Sequence, residues 1–164
     1  MAVSPFSDGT PQVSQWPIAP LHFFDYEVHV PVGMAGTYFY HAHVGFQAIS
    51  AAGPLIVEDE ESAPYQYDEE KIIFISDVFN KTDDTIETGL VASPLSWSGE
   101  TSMVLINGKG GGDNNGTYCK GELDVIHVQP GKTYRLRFIG GTALTFATIA
   151  IQGHEKLTVI EADG

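Results

Sequence analysis

Hydrophobic and polar residues alternate from Phe23 to Val30. Phe24, Tyr26, Val28 and Val30 fall on one side of an extended chain, and Asp25, Glu27 and His29 on the other. A period of two predicts a half-buried strand, which Pro31-Val32-Gly33 closes. Gly36 opens a second, aromatic-rich strand over Thr37–Val44, and Leu55-Ile56-Val57 predicts a third, short and wholly apolar. Beyond residue 70, apolar runs predict strands over Lys71–Val78, Ser102–Ile106, Leu123–Val128, Thr133–Ile139, Leu144–Ile151 and Lys156–Glu161. Pro130-Gly131 and Gln152-Gly153 supply turns between them. No segment carries a helical period with caps. Short strands at this spacing predict an all-β fold of antiparallel sandwiches.

Between the two groups of strands the pattern breaks. Glu58-Asp59-Glu60-Glu61, Pro64 and Asp68-Glu69-Glu70 make residues 58–70 acidic and poor in apolar side chains. Such a stretch reads as a solvated connection between domains. Neighbouring carboxylates on an extended chain point to alternating sides, which argues against a metal-binding cluster there. The expected division is a first domain over residues 1–63, a linker over 64–70 and a second domain over 71–164.

Composition sharpens this picture. The 164 residues are 43% hydrophobic, enough for a core, and include 18 glycines and 9 prolines, a turn-rich count that favours strands. Eight basic against 21 acidic side chains give a net charge of −13. A chain so charged repels phosphate backbones and anionic lipid, so neither nucleic acid nor a membrane is an expected partner. No apolar run approaches the roughly 18 residues that span a bilayer. Cys119 is the single cysteine and cannot close a disulfide within the chain. Met1 is not followed by the charged and apolar regions of a secretory signal. Asn80-Lys81-Thr82 and Asn115-Gly116-Thr117 are N-glycosylation tripeptides, and a secreted parent would carry its signal upstream.

Candidate chemistry concentrates at His41 and His43. On a strand, residues i and i+2 share a face, with Cβ atoms about 6–7 Å apart, so both imidazoles enter one space. Imidazole is a good ligand for copper, zinc, iron or nickel. Read from the residues alone, the pair is either a partial metal site or two polar side chains on a solvated strand face. A stable site needs three or four ligands, so any others come from elsewhere. His22, His29, His127 and His154 have no second ligand at chelating spacing. Cys119 has no catalytic signature around it, no Gly-x-Ser-x-Gly elbow occurs, and the glycine-rich stretch 107–116 reads as a loop, lacking the Lys-Ser/Thr ending of a phosphate cradle.

The block Gly36-Thr37-Tyr38-Phe39-Tyr40-His41-Ala42-His43, then Gln47, then Gly53-Pro54-Leu55-Ile56-Val57, resembles the second copper motif of multicopper oxidases, a family that includes laccases and ascorbate oxidases. Upstream, Ser7-Asp8-Gly9-Thr10-Pro11 and Ser14-Gln15-Trp16-Pro17-Ile18 match the usual lead-in to that motif. Downstream, residues 105–110 and 159–164 look like the family's second domain. The likeness extends to ascorbate-oxidase-like enzymes of filamentous fungi. The resemblance implies a cupredoxin-like antiparallel β-sandwich with Greek-key connections, here as two partial domains: the end of domain 1 and the start of domain 2. It implies copper as cofactor, dioxygen and a phenolic or ascorbate-like electron donor as partners, and an extracellular parent enzyme that oxidises the donor and reduces dioxygen to water. By resemblance His41 and His43 are ligands of the type 3 copper pair, one on each ion. Asp8 matches the acidic residue beside the trinuclear cluster that helps supply protons to reduced oxygen. Read by itself, Asp8 is a residue of an Asp-Gly turn.

The chain also departs from the family. The first motif, His-x-His-Gly, and both motifs of the last domain are absent, including the cysteine that binds type 1 copper. Trp16 stands where many relatives have a bridging cysteine, and Cys119 lies where ascorbate oxidases carry a local disulfide whose partner is missing here. The resemblance therefore implies a fragment that needs the rest of its parent chain and is inactive alone. The alternative is a non-catalytic β-sandwich module that binds a metal ion or a protein partner.

Overall fold

The computed structural model describes residues 8–59, 63–114, 116–154 and 156–163. Asn115, Glu60-Glu61 of the acidic run, Ser7 of the lead-in and the terminal Gly164 lie outside the described residues. Strands dominate: β1 (Gly36–His41), β2 (Ala52–Val57), β3 (Glu69–Val78), β4 (Met103–Ile106), β5 (Gly112–Asn114), β6 (Thr117–Cys119) and β7 (Tyr134–Gly140). Among the described residues one α-helix, α1, spans Asp83–Leu90. The fold is all-β, as expected, but its sheets are mixed. β1 and β2 form an antiparallel hairpin, and β5 and β6 another. The central sheet has the order β4-β3-β7, with β4 antiparallel to β3 but β7 parallel to it. The pairs are mostly antiparallel, as expected, and β7 is the parallel exception. Parallel neighbours need a long crossover, and residues 79–133, carrying α1 and the β4–β6 hairpins, provide it.

β3 shows why this sheet is the core. Its inward side chains recur with period two: Ile73, Ile75 and Asp77 are buried. Ile139 on β7 and Ile86 on α1 complete the buried apolar set. The strand begins at Glu69, inside the expected linker, because Glu69 and Glu70 are held by β7: they align with Tyr134 and Arg135, and Lys132 and Lys71 donate to Glu69 at 2.8 and 3.0 Å. Those two cations hold the Glu69 carboxyl below the usual range, and the same contact raises Lys132.

Helix α1 is a second departure from expectation. Thr82 caps it, its hydroxyl accepting from the Thr85 N–H at 3.3 Å, and Asp83 and Asp84 place negative charge on the first turn. Ile86 anchors it inward. Gly89 sits inside the helix because a Cβ there would come within 2.5 Å of the Ser96 carbonyl, where the chain folds back.

Among the described residues, four expected strands form no ladder: 23–30, 123–128, 144–151 and 156–161. The alternation in 23–30 is real, since Phe24 and Tyr26 meet edge to face with centroids 4.8 Å apart. What is missing is a partner strand; a strand exists by pairing, and pattern alone does not supply the pair. The turns hold as expected: Lys132 N–H donates to Gln129 O and His154 N–H to Ile151 O, with Gly131 and Gly153 at positive φ. Residues 107–116, expected as a loop, instead contain a two-residue turn. Asn107 and Gly108 have φ of 51° and 77°, and Ile106 and Lys109 exchange both backbone hydrogen bonds. That is the Asn-Gly hairpin turn.

Candidate metal centre

β1 carries the histidine pair to the rim of its hairpin. Its register against β2 runs from Gly36↔Val57 to His41↔Ala52, and Ala42 N–H donates to Ala51 O at 2.8 Å, one step beyond the ladder. His41 is thus the last strand residue, and His43 follows just past the paired backbone. The expected strand to Val44 ends three residues early, because the chain turns at Gly45, whose φ is +52°. The Gly45 position is also crowded: a Cβ there would lie 2.7 Å from Glu87 Oε2 on α1.

Strand alternation puts Thr37, Phe39, His41 and His43 on one face. The rings bear this out: Phe39 and His41 centroids are 5.5 Å apart, and those of His41 and His43 are 5.9 Å apart with planes 26° from parallel. Both imidazoles are exposed. His41 Nδ1 lies 3.0 Å from the Ala42 carbonyl oxygen. A carbonyl only accepts, so Nδ1 carries the proton and Nε2 keeps its lone pair for a ligand. That fixes the tautomer a metal-binding histidine requires, by the usual device of a hydrogen bond at the other nitrogen. On the opposite face Tyr40 aligns with Gly53 and lies across it, so that a Cβ there would come 2.6 Å from the Tyr40 hydroxyl.

The pair fits copper as two imidazole donors, but it is not a full coordination set. Among the described residues, no group of three or more His, Cys, Asp or Glu is close enough to hold a metal ion. Asp8 is therefore not gathered with the two histidines into such a group; its Oδ2 accepts from the Thr10 hydroxyl at 2.9 Å, within the Asp8-Gly9-Thr10 turn. His22 Nδ1 turns to the Pro20 carbonyl at 3.0 Å, and His154 closes the turn after Ile151.

Family models described as multicopper oxidase match residues 1–62 and, separately, residues 69–164. The chain belongs to the multicopper oxidase family. It is 50% identical to multicopper oxidase aurL2 of Gibberella zeae over 98% of its own length and 27% of that protein. It is 42% identical to laccase-like multicopper oxidase 1 of Thermothelomyces thermophilus, over 98% of this chain and 31% of the relative. It is likewise 42% identical to an L-ascorbate oxidase of Cucumis sativus, over 98% of this chain and 30% of the relative. The chain thus spans about three-tenths of the length of the curated relatives it matches. Membership in this oxidase family makes copper the cofactor. No helix among the described residues is long and apolar enough to cross a membrane.

Three further residues, one beside His41 and two buried in the central sheet, are not evident from the sequence. Phe39 stacks beside His41, and its signal was its place two residues earlier on the same strand face. Asp77 is 1% exposed and accepts from the N–H groups of Ala143, Leu144 and Thr145 at 2.9, 3.2 and 3.0 Å. Burial pushes its carboxyl up, but these N–H groups and the Thr145 hydroxyl outweigh burial and hold it below the ordinary value. Arg137 is 6% exposed, in an apolar strand. A charged residue at an inward position of a strand was the signal in both cases.

Proposed function

We propose that this chain is the part of a secreted copper oxidase that supplies His41 and His43 to a type 3 copper pair, one on each ion. The whole enzyme takes electrons from phenolic or ascorbate-like donors and reduces dioxygen to water. Copper, when bound, supplies the one-electron exchange that this reaction needs. The observation that carries the reading is the histidine pair on one strand face, with His41 Nδ1 tied to a carbonyl and Nε2 left free. Asp8 acts as a proton source near the reduced oxygen. Residues 1–63 are the end of a first cupredoxin-like domain and residues from Glu69 onward the start of a second, a division supported by family matches that stop at 62 and resume at 69. Asn80, exposed beside α1, carries a glycan in the secreted parent. Membership in an oxidase family favours this reading over a non-catalytic binding module.

The test is copper content in the full-length protein that contains this chain. The double substitution His41→Ala, His43→Ala lowers the copper retained after dialysis, whereas His22→Ala, His29→Ala leaves it unchanged. Full copper in the first variant would refute the assignment.

A further inference from the structure

Arg137 does something that the β7 ladder does not require. Its Nη1 donates to Thr37 Oγ1 on β1 at 2.6 Å, and its Nη2 meets Glu70 Oε2 on β3 at 2.8 Å. The guanidinium therefore bridges the copper-motif hairpin and the central sheet. It is buried, and its Nε has no hydrogen-bond partner. Taking a guanidinium out of water and leaving one donor unmet is costly. A fork with two fixed partners justifies that cost only where geometry matters.

The position of Thr37 gives the bridge its meaning. Thr37 lies four residues before His41 on the same face of β1. Arg137 thus grips the histidine face itself, at the end away from the rings. A ladder of charges backs the grip: Glu70 also lies 3.8 Å from Arg135 Nε, and Arg135 pairs in turn with Glu161. The chain between β1 and β2 also meets the second region, where Phe46 lies edge to face with Phe79 at 6.3 Å and Gly45 sits close against Glu87 of α1.

We infer that Arg137 is a positioning residue: through Thr37 it sets the pitch of β1 against the central sheet, and so the direction in which His41 and His43 present their Nε2 atoms. Its copper consequence rests on the assignment proposed above; the latch itself does not.

The experiment uses the full-length protein and four single substitutions. Thr37→Val keeps shape and loses the acceptor, Thr37→Ser keeps the acceptor, Arg137→Lys keeps charge but loses the fork, and Lys132→Met removes a cation that contacts Glu69 away from β1. Three quantities are read: hydrogen exchange at the amides of residues 37–42 relative to 72–76, the melting temperature, and the rate of copper loss to a chelator. Thr37→Val and Arg137→Lys are expected to speed exchange in 37–42 by roughly tenfold while 72–76 and the melting temperature hold. They also speed copper loss by about tenfold or more, the range seen when groups orienting a ligand are removed. Thr37→Ser restores both, and Lys132→Met changes neither. Exchange in 37–42 unchanged in Thr37→Val and Arg137→Lys overturns the latch. Faster exchange with normal copper retention overturns the positioning role. If His41→Ala, His43→Ala keeps its copper, the ligand assignment and with it the positioning role fail, and the latch stands or falls on exchange alone.

Discussion

The two regions of this chain divide chemistry from stability. The first 70 residues contain no lysine or arginine and ten acidic side chains; the remaining 94 hold all eight basic residues and eleven acidic ones. The buried apolar side chains, Ile73, Ile75, Ile86 and Ile139, all lie in the second region. The first region, which carries the histidine pair, offers a two-stranded hairpin and many exposed apolar residues, including Trp16 at 84% and Phe23 at 85% exposure. A lone two-stranded hairpin is marginal in water. The histidines therefore sit on a scaffold that does not stabilise itself and depends on what it is docked against. The excess of acidic residues in the first region also suits a protein whose cofactor is a metal cation.

The largest predicted effect follows from the surface. The chain exposes 12,414 Å², where a compact protein of its mass exposes about 7,900 Å². The isolated 164 residues are expected to aggregate or to fold only in part, visible as concentration-dependent sedimentation and a broad melt. A sharp, reversible monomer transition at neutral pH would break the contrast between the regions. Loaded with copper, the same chain should show no sustained, stoichiometric oxygen consumption with a phenolic donor once adventitious copper is removed.

Within the full-length protein, substitutions in the second region should cost the most stability. Ile86→Ala removes a buried side chain and is expected to cost about 2–5 kcal/mol in denaturant titrations. Asp77→Asn turns one acceptor into a donor facing N–H groups of residues 143–145, a loss of roughly 1–3 kcal/mol. The Asp77 carboxyl also sets a pH dependence. Its folded-state pKa lies below the unfolded one, so its stabilisation is complete above the ordinary carboxylate range. It is lost as pH falls through the folded value. Protection of the amides of residues 143–145, relative to their intrinsic exchange rates, should therefore be lost only in acid, and Asp77→Asn should abolish that acid step. Smaller still, Thr82→Ala removes the cap of α1 and should cost about 1 kcal/mol.

The same division explains what could be read in the sequence. β3 and β7 were legible because their apolar positions, Ile73, Ile75 and Ile139, are buried in the central sheet, and β2 and β4 were legible as short apolar runs although Leu55, Val104 and Ile106 stay exposed. Residues 23–30 alternate as cleanly as any, yet pair with nothing among the described residues, because a pattern states which face wants cover and not what covers it. Helix α1 was missed although Thr82, Asp83 and Asp84 announce its start: two turns with Gly89 inside are too short for a period to show. The Asn107-Gly108 turn was legible and was overlooked within a glycine-rich stretch. His41 and His43 were plain from spacing, and the tautomer of His41 was not, since it depends on where the Ala42 carbonyl points. Arg137 was beyond reach, because its partner Thr37 lies 100 residues away.

The central claim is that His41 and His43 serve the copper ions where dioxygen is reduced, at a distance from the copper that accepts electrons from the donor. Stopped-flow absorbance in the full-length His41→Ala, His43→Ala protein tests it most directly. The blue colour of the electron-accepting copper should form and should bleach with donor under anaerobic conditions. It should then fail to return when oxygen is added. Normal recovery of the blue absorbance, with full copper content, would contradict the assignment.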